Sequence, residues 1–299
     1  MARISDIFLA ILLLFPGIAL AECPVGYSSI TVPICQLQIP PSGYTLTFSD
    51  TFTTNDVCPN SVYSPSCKWW NGTEQCCLTP SDGSGSEMFP TGVPGVGRPV
   101  NPYSLIPGGG LNISLANYNN STGALNSLST GAKSSWNSGV MTSMTGTQGF
   151  AQQYGYFEMV AQFPGPSLGT WPGFWMLPSG SPGAAEIDIL EQYGSGPNWT
   201  FCSVFHDYSP ANNTTGTCSN AAPATQTTAY HAYGFLWTAE IMAIYVDGVQ
   251  TWSVPTAPIF KQPFYILVDM GIGSGWPTTA TPSPSILMIK SIKAWQAPQ

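Results

Sequence analysis

Helical periodicity is nearly absent from this 299-residue chain, and that absence narrows what it can fold into. Short runs of alternating apolar and polar residues recur instead, separated by clusters of Gly, Pro, Ser and Asn. Alternation at period 2 sends successive side chains to opposite faces of a strand, which suits sheets with one face buried. With 31 glycines and 28 prolines to make turns, the pattern predicts an all-β sandwich or jelly roll of two antiparallel sheets. Strands are expected at Tyr44 to Phe48, Leu111 to Leu115, Gly139 to Ser143, Tyr154 to Phe163, Phe174 to Leu177, Glu186 to Glu191, Ala232 to Thr238, Ala243 to Val246, Phe264 to Met270 and Ser285 to Trp295. Asp247-Gly248, between apolar runs, reads as a hairpin turn. Pro80 to Gly110 carries neither period and reads as a long surface loop.

The start of the chain predicts its compartment. Arg3 precedes an apolar run from Ile7 to Ala21 that closes on Ala19-Leu20-Ala21, the layout of a signal peptide with cleavage after Ala21. A run of about 15 residues interrupted by Pro16-Gly17 is too short to span a bilayer, which takes roughly 20. The expected organisation is a signal peptide over 1–21, an N-terminal extension over 22–42 and one catalytic domain over 43–299, since no long linker or repeat divides the chain. Secretion agrees with the eight cysteines, Cys23, Cys35, Cys58, Cys67, Cys76, Cys77, Cys202 and Cys218. Cys23 with Cys35 and Cys202 with Cys218 are the economical pairs, each closing a short loop, while the cluster from Cys58 to Cys77 is left unpaired by reading alone. Zinc is not expected there, because no CxxC pair and no nearby histidine accompanies the cluster.

Charge is scarce: charged residues make up 7% of the chain, and the formal net charge is −8. Such a surface disfavours nucleic acid and anionic membranes as partners. With so few cations a strongly polyanionic substrate also fits poorly, and a neutral polymer fits better.

Against that scarcity, Glu186-Ile187-Asp188-Ile189-Leu190-Glu191 places three of only 15 acidic residues on one apolar strand. Crowding carboxylates costs desolvation and mutual repulsion. A glycosidase has use for them, because it needs one ionised and one protonated carboxyl flanking the scissile bond. Strict alternation puts Glu186 and Asp188 on one face and Glu191 on the other; a β-bulge at Ile189-Leu190 would bring Glu191 back. The glutamate backbones then stand about 13 Å apart at about 3.3 Å per step, and inward-leaning side chains bring the carboxyls toward the roughly 5 Å of a retaining site. Asp188, between them, could share a proton and split their acidities. Spacing alone leaves the two glutamates interchangeable, and it leaves inversion open.

The acidic strand and its surroundings resemble glycoside hydrolase family 16, whose bulge-containing, laminarinase-like members carry E-x-D-x-x-E. Tyr154-Gly155-Tyr156-Phe157-Glu158 and Gly169-Thr170-Trp171-Pro172-Gly173-Phe174-Trp175-Met176-Leu177-Pro178 resemble strands just upstream of the family's catalytic strand. Phe205-His206, His231 to Thr238, Tyr245-Val246-Asp247-Gly248 and Gly271 to Pro277 follow in family order, so the likeness runs from about 43 to 296. It implies a β-jelly-roll with a concave cleft that cleaves β-linked glucans or galactans internally by double displacement. It also implies Glu186 as nucleophile, Glu191 as general acid/base and Asp188 as the assisting acid.

Aromatic side chains would supply the rest of a sugar site, since pyranose faces stack on flat rings. Trp171 and Trp175 resemble cleft-lining positions, Trp276 could close one end, and His206 resembles a histidine near the glycone side. His231 reads as structural, and Trp136, Trp237 and Trp252 as core or surface. Two departures from the family pattern bear on function. Val140 stands where many laminarin-cleaving relatives have an arginine, which weakens the glucan assignment. Lys290 stands where calcium-binding members have an aspartate, so neither calcium nor any other cofactor is expected.

Sequons at Asn71, Asn112, Asn119, Asn120, Asn198, Asn212 and Asn213 matter only in a glycosylating host. The expectation is a secreted, monomeric endo-β-glycanase acting on 1,3- or 1,3-1,4-linked glucan. A bacterial exopolysaccharide or galactan, transglycosylation, and a non-catalytic glucan-binding role are the alternatives.

Overall fold

A computed structural model describes residues 42–58, 63–71, 101–117, 136–165, 169–181, 183–194, 200–273 and 277–298, together with the strand backbones at 27–30, 34–37, 87–88, 125–126 and 133–134. The signal-peptide reading over 1–21 and the Cys23–Cys35 pairing lie outside the described residues, as do Cys76 and Cys77. Among the described residues no helix is long and apolar enough to cross a membrane.

The main strands are β1 (Thr45–Asp50), β2 (Trp69–Asn71), β3 (Leu111–Asn117), β4 (Val140–Thr142), β5 (Gly155–Gln162), β6 (Thr170–Pro178), β7 (Ala185–Glu191), β8 (Thr200–Asp207), β9 (Thr215–Ala221), β10 (His231–Trp237), β11 (Ile241–Val246), β12 (Val249–Pro255), β13 (Phe264–Ile272) and β14 (Ser285–Gln296). They form two sheets. An eight-stranded sheet runs β9-β8-β7-β6-β13-β4-β2 and ends on Val57–Cys58. A twelve-stranded sheet is built around β12-β11-β10-β5-β14-β3, with β1 also paired to β14.

Period-2 alternation assigns the faces. Along β13, Phe264, Ile266, Val268, Met270 and Ile272 enter the core, and along β5 Phe157, Met159 and Ala161 meet them from the other sheet. Each such aromatic or aliphatic side chain contributes about 1.5–3 kcal/mol when fully buried. Phe205, Phe235, Trp237 and Trp252 tie the layers together through ring contacts, and Trp136 is also buried.

Most expected strands are present within a residue or two. Asp247 and Gly248 both take positive φ, 50° and 78°, in the hairpin joining β11 to β12, as its sequence predicts. Four of these strands were not among those expected: β2, β8, β9 and β12. In β8 the alternation is present, with Phe201 and Phe205 entering the core, and His206 lies within the strand. In β9 there is no apolar face to read, and the strand is an edge held by a disulfide from Cys218 to Cys202, the pairing expected from spacing. A second disulfide joins Cys58 to Cys67. The expected loop from Pro80 to Gly110 contains a short strand, Tyr103–Leu105, paired to β3. Residues 22–42 supply a hairpin, Tyr27–Ile30 with Ile34–Leu37, that joins the edge of the twelve-stranded sheet through Gln36 opposite Val249.

Candidate active site

On the face of the eight-stranded sheet turned away from the core, the acidic strand is laid out as its composition requires. β7 sends Ala185 and Ile187 into the core, then both Ile189 and Leu190. Register slips there against both neighbours: Phe174 faces Leu190 while Trp175 faces Asp188, and pairing with β8 jumps from Asp188–Val204 to Glu191–Cys202. This is the bulge the spacing predicts, and it returns Glu191 to the face of Glu186 and Asp188. Two consecutive apolar residues between two acids are its sequence signature, because both can enter the core only if the strand carries one extra residue.

Each carboxyl has a distinct environment. Asp188 is 2% exposed, and burial first, then the neighbouring Glu186 and Glu191, holds its pKa well above the usual carboxylate range. His206, from β8, brings Nε2 to 3.2 Å from Asp188 Oδ2, a close contact rather than an aligned hydrogen bond. Glu186 pairs in register with His206 and accepts a 3.2 Å hydrogen bond from the Tyr208 hydroxyl. Tyr208 stacks on the His206 ring at 5.2 Å, and its own pKa is raised, by burial first and then by the carboxylates, so it remains a donor.

Glu191 accepts from two aromatic donors, Trp171 Nε1 at 2.9 Å and the Tyr193 hydroxyl at 3.2 Å. Burial raises its pKa, and the Trp171 hydrogen bond works against that rise. Trp175, four residues along β6 from Trp171, gives its indole N–H to Asp269 on β13 at 2.8 Å. Trp171 and Trp175 are both half-buried on this face, so the expected ring surfaces are present, and each also holds a carboxyl by its edge.

Glu186, Asp188 and His206 bring possible ligand atoms within 4.8 Å of one another, the one such trio among the described residues. A cation there would occupy Glu186 and Asp188, two of the three carboxyls of the acidic strand. Leu177, Tyr265, Leu267 and Met144 form a small apolar cluster on this face, with Trp175 packed against it. Val140 is fully buried opposite Asp269, and Lys290 is exposed on the other sheet. His231 has a structural setting, with Nδ1 2.7 Å from Asp247 Oδ2 at the hairpin and Nε2 2.8 Å from Thr225 Oγ1. Trp276 lies outside the described residues.

Sequence reading missed Tyr193, Tyr208 and Asp269. Each sits two residues, or a multiple of two, along a strand from a recognised site position or an exposed-face residue: Tyr193 from Glu191, Tyr208 from His206, and Asp269 from Leu267 and Tyr265. Period 2 projected from the acidic residues and His206 would have found the tyrosines.

A two-sheet β sandwich with three carboxyls and two indoles on one open face is the layout of a carbohydrate-cleaving jelly roll. The sequence model for glycosyl hydrolases family 16 matches residues 111–282, more than half of the chain, and the chain belongs to that family. It is 30% identical over 263 residues to the endo-1,3-1,4-β-glycanase EglC of Rhizobium meliloti (strain 1021), covering 87% of this chain and 53% of that protein. Against the endo-1,3-1,4-β-glycanase ExsH of the same organism it is 32% identical over 162 residues, 54% of this chain and 33% of ExsH. The chain thus spans about half or less of these relatives' length. Among solved structures, the catalytic domain of an endo-1,3-β-glucanase (laminarinase) from Thermotoga petrophila RKU-1 superposes with a TM-score of 0.66 at 20% identity, covering 86% of this chain and 99% of that one. That likeness carries the jelly-roll fold.

Proposed function

We propose that this chain is a secreted, retaining endo-β-glycanase, with 1,3- or mixed 1,3-1,4-linked β-glucan as its substrate and 43–299 as its catalytic domain. The observation that carries the reading is the bulge at Ile189-Leu190, which sets Glu186 and Glu191 on one face with Asp188 between them. Family membership and the names of EglC and ExsH support the substrate class.

In the mechanism, Glu186 attacks the anomeric carbon while Glu191 gives its proton to the leaving oxygen; the glycosidic bond breaks as the glycosyl–Glu186 ester forms. Water, deprotonated by Glu191, then opens the ester and returns Glu186 to its carboxylate. Burial raises the Glu191 pKa, which favours the protonated form that the first step needs. Asp188, held neutral, relieves the repulsion between its two neighbours and lends Glu186 a proton-sharing partner as charge moves. Trp171 and Trp175 offer sugar-stacking surfaces, and His206 borders the nucleophile. No cofactor is required by these steps. Disulfides at Cys58–Cys67 and Cys202–Cys218 agree with an oxidising compartment and a signal peptide over 1–21. A monomer with polysaccharide as its only macromolecular partner suits the charge-poor surface.

The test is Glu186→Ala assayed on laminarin, lichenan, agarose and xyloglucan. Turnover should vanish, and azide should restore it as an inverted glycosyl azide. Undiminished hydrolysis by the variant would refute the nucleophile assignment, and binding without products from the parent would refute the enzyme reading. Transfer products in place of hydrolysis would make it a transglycosylase.

A further inference from the structure

Asp269 is a fourth carboxyl on the site face, outside the E-x-D-x-x-E strand. It stands opposite Gly173 in β6, and Gly173 in turn stands opposite Glu191 in β7. Glu191, Gly173 and Asp269 therefore form one rank across three strands, with the outer two backbones two strand spacings, about 10 Å, apart. The middle position has no side chain. A Cβ at Gly173 would lie 2.7 Å from Asp269 Oδ1, so the carboxyl leans over the glycine toward the Glu191 side. On its far side Asp269 faces the buried Val140 of β4.

The partners of this carboxyl are both donors: Trp175 Nε1 at 2.8 Å and the backbone N–H of Gly271. Neither can accept a proton. Among the described residues the ionisable groups that face Asp269 are Glu191 and Glu186, with Asp188 beyond them and no cation, and Tyr265 stands on its own strand. Burial with these acids raises its pKa to about 8, against the opposing pull of the Trp175 hydrogen bond. Among the described residues a neutral carboxyl so placed has no protein acceptor for its O–H, on a half-open side chain facing the sugar site. Saccharide hydroxyls and ring oxygens are the acceptors such a donor fits.

We propose that Asp269 is a substrate-binding residue which, as a neutral acid, donates a hydrogen bond to a hydroxyl of the saccharide unit seated over Gly173, beside Glu191. The proposal rests on the reading of Glu186 and Glu191 as the catalytic pair, and it adds a specificity contact that their strand does not contain. A saccharide lacking an acceptor at that position would leave the O–H unmet in a partly buried site, the kind of loss that discriminates strongly between sugars.

Binding, not turnover, gives the test. In a Glu186→Ala background, the affinity for a mixed-linkage β-glucan tetrasaccharide is measured by calorimetry from pH 6 to pH 9. Affinity should fall as pH rises toward about 8, with the midpoint lowered by the loss of the Glu186 charge. Adding Asp269→Asn, which keeps the shape, an acceptor for Trp175 and an N–H donor for the sugar, should hold affinity within about threefold at pH 6 and abolish that fall. Adding Asp269→Ala should weaken binding about tenfold at pH 6, a loss typical of one removed hydrogen bond. Equal pH dependence in the Asn variant, unchanged affinity in a folded Ala variant, or no affinity in the parent would each overturn the proposal. The catalytic reading fails separately, by activity retained in Glu186→Ala alone.

Discussion

The indole N–H of Trp171 stands 2.9 Å from Glu191 Oε1, and the same ring stacks on Tyr193, whose hydroxyl also reaches that oxygen. In the proposed site one tryptophan thus offers a ring face to sugar and an edge whose hydrogen bond acts on the acidity of the proposed acid/base. Both donors favour the carboxylate, while burial favours the neutral form and prevails.

Trp171→Phe should separate those duties. The ring survives and the donor is lost, so the Glu191 pKa should rise further. The alkaline limb of kcat/KM should move to higher pH. We expect kcat to fall about tenfold at the parent optimum, within the range of a mispositioned acid. A profile recorded from pH 4 to 10 checks it; an alkaline limb that stays put or moves down would show that the hydrogen bond does not tune Glu191.

Gly173→Ala addresses the empty centre of the rank joining Glu191 to Asp269. The added methyl meets Asp269 Oδ1 at 2.7 Å and Trp175 Cδ1 at 3.2 Å, on side chains pinned to each other. Relief requires breaking the Trp175–Asp269 hydrogen bond or shifting β6, with an overpacking cost of about 1–3 kcal/mol. Thermal unfolding should show a loss of that size, and activity should fall more than tenfold in protein that is still folded. Parent-like activity and melting would mean that Asp269 gives way freely and that the space over Gly173 has no role.

Much of this site was legible because a charge-poor chain gives away its expensive residues. Glu186, Asp188 and Glu191 had to share a face to be of use, and Ile189-Leu190 was the only place for the extra residue that aligns them. The hairpin at Asp247-Gly248 was equally legible, since both positions take the positive φ that such turns need. Other parts resisted reading for physical reasons. β9, with Thr215, Gly216 and Thr217 on an edge, has no apolar periodicity because it covers no core. Asp269 sits in a run, Phe264 to Ile272, that reads as fully buried, and a lone acid there gives no sign that its partners are Trp175 and Gly271. The Trp175 contact joins residues 94 apart in sequence, and only the pairing of β6 with β13 reveals it.

The other sheet carries a raised carboxyl, Glu158, that lies away from the proposed chemistry. Glu158 lies in β5, 6% exposed, opposite Gly234 on one side and Lys293 on the other. Burial lifts its pKa from 4.5 to about 7, with Lys293 and the Tyr156 hydroxyl opposing the rise. A raised folded-state pKa means that the fold favours the protonated acid. Its contribution to stability is therefore fully present below about 4.5 and is lost as pH climbs through about 7. At about 1.4 kcal/mol per unit the difference is on the order of 3 kcal/mol at most. Glu158→Gln, which mimics the neutral acid, should match the parent below pH 4.5 and melt several degrees higher at pH 8, given about 2–4 °C per kcal/mol in domains of this size. Melting curves from pH 4 to 8 decide it: a gap that narrows with rising pH, or a variant less stable at pH 8, would mean that ionised Glu158 is held by Lys293 strongly enough to offset its burial.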